Sequence, residues 1–224
     1  MLVLRATARM MVLGMLLAVG ATSAATADSV SVNRPTPQPQ PQPSSTEFPD
    51  ATLVRVDQAA STVLRLDGII TPGAEQRFTD ALRSLPTGKP VVIELSSPGG
   101  FTTAGYRMID AVLAERQAGR QVATRVMDGQ SCESMCVGLY LAGYPRYAAP
   151  SAEFMVHAPR LAENGRMTLR STDVMVKRLV SLGVSPGWIE QVKAAGGFSG
   201  NLDYRDRADH LAAIGANIVT DLLR

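Results

Sequence analysis

The chain is poor in residues that bind metals. It has only two cysteines, Cys132 and Cys136, and two histidines, His157 and His210, among 224 residues. A lone C-x-x-x-C pair with no further cysteine or histidine beside it does not make a zinc site, so no metal is predicted. The formal net charge is only +2, and both signs are interspersed. Without a basic block or stripe, nucleic acid is not an expected partner.

No apolar run near the N-terminus is long enough to span a bilayer comfortably. The apolar stretch 10–21 follows two arginines and leads to small residues that end in an A-x-A sequence at 25–27. This pattern predicts a signal peptide over residues 1–27, cleaved before Asp28 or, alternatively, after Ala24. We therefore expect an exported, periplasmic protein, with an uncleaved membrane anchor as the alternative.

The sequence also lacks an internal repeat and a Walker-type phosphate loop. Residues 28–50 are dominated by proline, glutamine and serine, which predicts an extended, solvated linker. Residues 51–224 are enough for one domain with a buried core. No ATPase domain or ATPase partner is expected, because an exported protein has no supply of ATP.

Strand-like and helix-like segments alternate through the domain. Strands are predicted at 63–70, 91–95, 122–126 and 153–157, and helices begin after Thr71, at 103, after Ser134, and at 168, 185 and 208. This order predicts right-handed crossovers and a mainly parallel sheet covered by helices, the α/β class.

Three chemically interesting features follow predicted strands, where α/β proteins place their sites. The first is the turn SSPGG at 96–100, whose two glycines permit positive φ and leave backbone amides open to an anion. The second is Ser134, which is either the N-cap of an apolar helix or a nucleophile beside the positive end of that helix. The third is His157, a candidate general base, whereas His210 is expected at the surface.

These segments resemble the proteolytic subunit of the Clp protease and its exported relatives in the ClpP/crotonase superfamily. ELSSPGG is similar to the family's INSPGG, SMCVGLYLAG to ASMGAFLLAAG, FMVHAP to MIHQP, and ADHLAAIG to AxEAxxYG. In this order they cover nearly all of residues 63–219. The resemblance implies a ClpP/crotonase-like fold of stacked ββα units with a mainly parallel sheet and flanking helices.

The resemblance also implies a serine hydrolase, a peptidase without a cofactor, acting on peptides or unfolded polypeptides. By position Ser134 is the nucleophile, His157 the general base, and the amides of Gly100 and Met135 the oxyanion hole. Residues after Gly100 would bind an extended substrate as an added strand. Residues 158–200 would form the handle through which subunits associate into a homo-oligomer.

The acid of the site is ambiguous. An ungapped match of the closing helix places Asp203 at the family's acid, and a local match of RDR places Asp206 there. Asp203 is the first choice and Asp206 the alternative.

Two departures from the family pattern surround the nucleophile. Glu133 replaces a small residue, and its carboxylate would oppose an oxyanion unless it points away. Cys132 and Cys136 share a helical face and are either a disulfide or two buried thiols. The resemblance to a CxSxC pattern of exported members favours a disulfide.

Two hypotheses compete with the hydrolase. One is a non-catalytic binding or scaffold protein of the same fold, which retains the turn and the serine but has lost the acid. The other is an acyl-thioester enzyme of the crotonase type, which would use the same oxyanion geometry. The Ser134–His157 pair favours the hydrolase over both.

Overall fold

The structure, a computed structural model, describes residues 48–161 and 164–224. The predicted signal peptide and most of the predicted linker lie outside the described residues. Within them, no helix is long and apolar enough to cross a membrane.

Strands and helices alternate along the described chain as the sequence predicts. The strands are β1 (Thr52–Asp57), β2 (Thr62–Asp67), β3 (Val91–Ser96), β4 (Val122–Val126), β5 (Ser131–Glu133), β6 (Arg146–Ala148), β7 (Glu153–Val156), β8 (Tyr204–Arg207) and β9 (Asp221–Leu222). The helices are α1 (Pro72–Arg83), α2 (Thr102–Gln117), α3 (Met135–Ala142), α4 (Leu169–Ser181), α5 (Pro186–Ala194) and α6 (Ala208–Ala213).

The larger sheet has the strand order β1-β2-β3-β4-β6-β9. All its neighbours are parallel except β1, which pairs antiparallel with β2 at the edge. Alternate residues of β3 are buried, and α3 is buried along its whole length, as expected for a helix that is apolar on every face. The α/β class and the mainly parallel sheet are confirmed.

The smaller sheet contains the strands that precede Ser134 and His157. Strand β7 lies at its centre, parallel to β5 and antiparallel to β8. The end of β3 joins the two sheets, because Ser97 exchanges backbone hydrogen bonds with Ser131 and Glu133 over 2.9 Å each. The turn after β3 therefore lies directly against the turn after β5.

Helix starts agree with the capping signals in part. Thr71 caps α1, since its hydroxyl accepts a hydrogen bond from the Ala74 amide over 3.1 Å. Ser185 occupies the N-cap position of α5, before Pro186, but its side chain makes no capping hydrogen bond. Both helices begin with a proline, whose fixed φ suits the first helical position and whose nitrogen has no N–H that needs an acceptor.

Candidate active site

Ser134 occupies a strained turn between β5 and α3. Its φ is 54° and its ψ is −120°, a conformation that costs a residue with a Cβ on the order of 1–3 kcal/mol. Although Ser134 stands at the N-cap position, its side chain makes no capping hydrogen bond. The hydroxyl is thus not used for capping, and the sharp strand-to-helix turn is of the kind that presents nucleophilic serines in α/β hydrolases.

The glycine turn after β3 packs on this serine. Gly99 has φ of +90°, and a Cβ there would lie 2.8 Å from the Ser134 Cβ and 2.7 Å from the Glu133 carbonyl oxygen. Only glycine allows both the backbone conformation and this approach. The side-chain hydroxyl of Ser97 fixes the turn by accepting a hydrogen bond from the Gly99 amide over 3.1 Å.

Two backbone amides near Ser134, those of Gly100 and Met135, have no hydrogen-bond acceptor among the described residues. The Gly99 carbonyl and the Phe101 amide both bond to Ile70, over 2.8 Å each, so the Gly100 amide points to the opposite side of this extended segment. The Met135 amide belongs to the first turn of α3. The N–H groups of a first turn have no acceptor within their own helix. Neither amide donates a backbone hydrogen bond to another described residue.

His157 directly follows β7 and shares a cavity with Ser134. The cavity has a volume of about 30 Å³ and is mostly apolar. Its walls also include Met135, Ile109 and Leu179. The imidazole Nδ1 lies 2.7 Å from the carbonyl oxygen of Ala158. The structure therefore brings two predicted site residues, Ser134 and His157, to one pocket, with Nδ1 engaged by backbone.

The strand register separates the two candidate acids. Val156 pairs with Tyr204, so continuing the antiparallel ladder by one step sets Asp203 opposite His157. Asp206 pairs instead with Phe154, about 10 Å further along the strand.

Hydrogen bonds separate the two acids as well. Asp206 faces His210, whose Nδ1 lies 2.8 Å from its carboxylate. Neither carboxylate bonds to His157 among the described residues. Arg160 instead holds Asp203 through an ion pair of 2.7 Å. His210 is exposed, as expected.

The Glu133 carboxylate points along the smaller sheet to β8. Arg205 on β8 binds it with both guanidinium nitrogens, at 2.7 and 3.3 Å, across the intervening strand β7. The hydrogen bond to Glu133 raises the pKa of Arg205 above its usual value. This ion pair balances the charge of Glu133 and connects β5 to β8.

Cys132 and Cys136 form a disulfide in the structure. Both cysteines are fully buried, and the bridge links β5 to the first turn of α3 on either side of Ser134. Among the described residues there is no group of three or more acidic, histidine or cysteine side chains that could hold a metal ion.

Arg160 is the residue of this site that sequence reasoning missed. It lies three residues after His157, in the segment HAPR, and the basic side chain so close to a predicted general base is the signal that was available. Its ion pair with Asp203 joins residues 43 positions apart and depends on the pairing of β7 with β8.

The fold and this pocket define an α/β protein with a strained serine at a strand-to-helix turn, and comparison with known proteins identifies its family. The sequence model of the Clp protease family matches residues 69–180, and the chain belongs to this family. This membership supports a peptidase function.

Individual relatives agree with the family assignment. Proteolytic subunit 1 of the ATP-dependent Clp protease from Chlamydia pneumoniae is 28% identical over 109 residues, which are 46% of this chain and 54% of the relative. The same subunit from Chlamydia trachomatis is 31% identical over 111 residues, with the same coverage. The chain thus spans about half the length of the curated relatives it matches.

A solved structure shows the same fold. A mutant of ClpP1 from Listeria monocytogenes superposes with a TM-score of 0.56 at 18% sequence identity. The match covers 72% of this chain and 91% of the other. At this identity the similarity establishes the fold alone.

Proposed function

We propose that the protein is an exported serine peptidase that works without ATP. The observation that carries the proposal is the strained turn at Ser134, whose hydroxyl is free of capping and shares a pocket with His157. Family membership supports peptide bonds as the target.

The residues define an acyl-enzyme mechanism. The Ser134 Oγ attacks the carbonyl carbon of the scissile bond while His157 takes the hydroxyl proton at Nε2. The amides of Gly100 and Met135 stabilise the oxyanion that forms. The imidazolium then protonates the leaving amine, and a water molecule, deprotonated by His157, hydrolyses the ester and restores Ser134.

Asp203 is the acid in this mechanism. It must accept a hydrogen bond from the Nδ1–H of His157 and so stabilise the imidazolium. The proposal is supported by the β7–β8 register, which ends at Val156 and Tyr204, one residue short of His157 and Asp203. It requires the Asp203 carboxylate to leave Arg160 and the His157 Nδ1 to leave the Ala158 carbonyl oxygen. Hydrogen bonds in sites of this kind often tighten only when substrate binds.

Export and assembly are parts of the same proposal. The predicted signal peptide and the disulfide beside Ser134 both fit an oxidising compartment such as the periplasm. We propose a homo-oligomer assembled through residues 158–200, with flexible peptides or unfolded segments as substrates.

Labelling of the mature protein with a fluorophosphonate tests this function. Wild type should be labelled, and S134A and H157A should not. D203N should be labelled at least about 100-fold more slowly, because the imidazole loses the group that orients it. D206N is the matched control, from the same strand pair, and should change the rate less than about threefold. Loss of labelling in D206N but not in D203N would reverse the assignment of the acid.

A non-catalytic binding protein of the same fold is the second candidate. It is favoured by the ion pair between Arg160 and Asp203, since no carboxylate of the described residues bonds to His157. Folded wild type that resists labelling, under oxidising and reducing conditions alike, would favour this candidate.

A further inference from the structure

Arg160 lies between the candidate acid and a second groove. This groove, of about 450 Å³, is lined by Phe48, Ile69, the glycine turn 98–102, Arg160 and Leu161. It adjoins the pocket of Ser134, because Thr102 lines both. Arg160 is the only charged residue that lines it among the described residues.

The backbone holds Arg160 in place. Arg160 forms an antiparallel bridge with Met167, and the Leu161 amide donates to the Arg166 carbonyl oxygen over 2.8 Å. The guanidinium is therefore carried by an anchored segment, and Arg160 lines the same groove as the glycine turn. A peptide lying in the groove would pass beside a fixed cation.

The present partner of Arg160 is exchangeable. The side chains of Arg160 and Asp203 are 38% and 34% exposed, and ion pairs this accessible to water are weak. A carboxylate that enters the groove can replace Asp203 on the guanidinium of Arg160. The planar N–H donors of the guanidinium match the geometry of a carboxylate. The exchange would free the Asp203 carboxylate to form a hydrogen bond with His157.

We propose that Arg160 is a specificity residue that binds a carboxylate of the peptide substrate and thereby releases Asp203 to His157. The substrates it selects are peptides with an acidic side chain near the scissile bond. This inference rests on the proposed peptidase function. No bond forms or breaks in the exchange, since one ion pair replaces another and a hydrogen bond forms between Asp203 and His157.

The test uses internally quenched peptides in which one Glu or its isostere Gln occupies each position from P4 to P3′ in turn. Wild type should cleave the Glu peptide with about tenfold higher kcat/KM at one position, the usual scale for a charge-assisted hydrogen bond. The ratio should fall to about one in R160Q and be partly retained in R160K. R166Q is the matched control, because Arg166 belongs to the same turn but does not line the groove, and it should retain the preference.

Equal cleavage of Glu and Gln peptides by wild type, or an unchanged preference in R160Q, would overturn the proposal. A second readout needs no peptide: R160Q should react with a neutral fluorophosphonate faster than wild type, because Asp203 no longer has a competing cation. Slower or unchanged labelling would overturn the release step. Wild type that is never labelled would overturn the peptidase function itself, whereas labelled protein without a Glu preference would overturn this inference alone.

Discussion

Ser134 adopts a strained backbone conformation, and no local hydrogen bond of its hydroxyl offsets the strain. A positive φ is uncommon for residues other than glycine, and a serine there makes no capping hydrogen bond to offset it. The neighbouring contacts explain how the turn persists. The Ser134 amide donates to the Met155 carbonyl oxygen over 2.7 Å, and the Val137 amide donates to the Ser134 carbonyl oxygen over 3.1 Å.

Replacing Ser134 by glycine should stabilise the protein while removing its reactivity. Glycine adopts this φ without strain, which raises the free energy of unfolding by about 1–3 kcal/mol. Glycine also gives the unfolded chain more conformational entropy, which lowers the free energy of unfolding by about 0.4–1 kcal/mol. We expect S134G to have a free energy of unfolding about 1 kcal/mol above that of S134A, measured by urea denaturation. S134A is the control because it lacks the hydroxyl but keeps the Cβ. Equal stability of the two variants would show that the turn is unstrained.

The pair Ser134 and His157 was accessible to sequence reasoning because each follows a strand, and strand ends meet in α/β folds. The ion pair of Asp203 with Arg160 could not be predicted in this way. It depends on the register of β7 against β8, which brings Arg160 to a residue 43 positions away. No local pattern encodes such a pairing.

At the scale of elements, prediction succeeded where apolar periodicity was long. The helix predicted at 103–117 is α2 at Thr102–Gln117, and the strand at 122–126 is β4 without change. Strands β1, β5, β6, β8 and β9 were not predicted, and all of them except the edge strand β1 have four residues or fewer. The sequence of β8 is YRDR, in which polar residues sit on both faces, so its place in the sheet comes from tertiary pairing alone.

The disulfide joins β5 to α3 on either side of Ser134, and removing it should weaken both stability and the proposed reactivity. Closing a loop of about five residues is worth about 2 kcal/mol in the chain-entropy account. We expect C132A/C136A to lose about that much free energy of unfolding in urea and to react more slowly with a fluorophosphonate.

The single variants serve as controls for this effect. C132A and C136A each open the bridge, so each should lose most of what the double variant loses. If the losses in free energy of unfolding of the two single variants add up to that of the double variant, the cause is a cavity at each of two buried sites rather than loss of the bridge.

At the scale of the whole molecule, helix α4 has apolar side chains that are exposed among the residues that the structure describes. Leu169 is 80% exposed and Val174 is 49% exposed, and both lie within the region proposed for subunit association. Exposed side chains of this kind are common singly, so their role must be tested rather than inferred from exposure.

Assembly through this helix predicts a specific effect of charge. If α4 packs against another subunit, L169E/V174E places two carboxylates in an apolar contact and should reduce the molar mass measured by light scattering to that of a single chain. V54E is the matched control, because Val54 is 50% exposed on β1, outside the proposed interface. It should leave the mass of the assembly unchanged. An assembly that persists in L169E/V174E, or one that V54E alone dissociates, would move the interface away from α4.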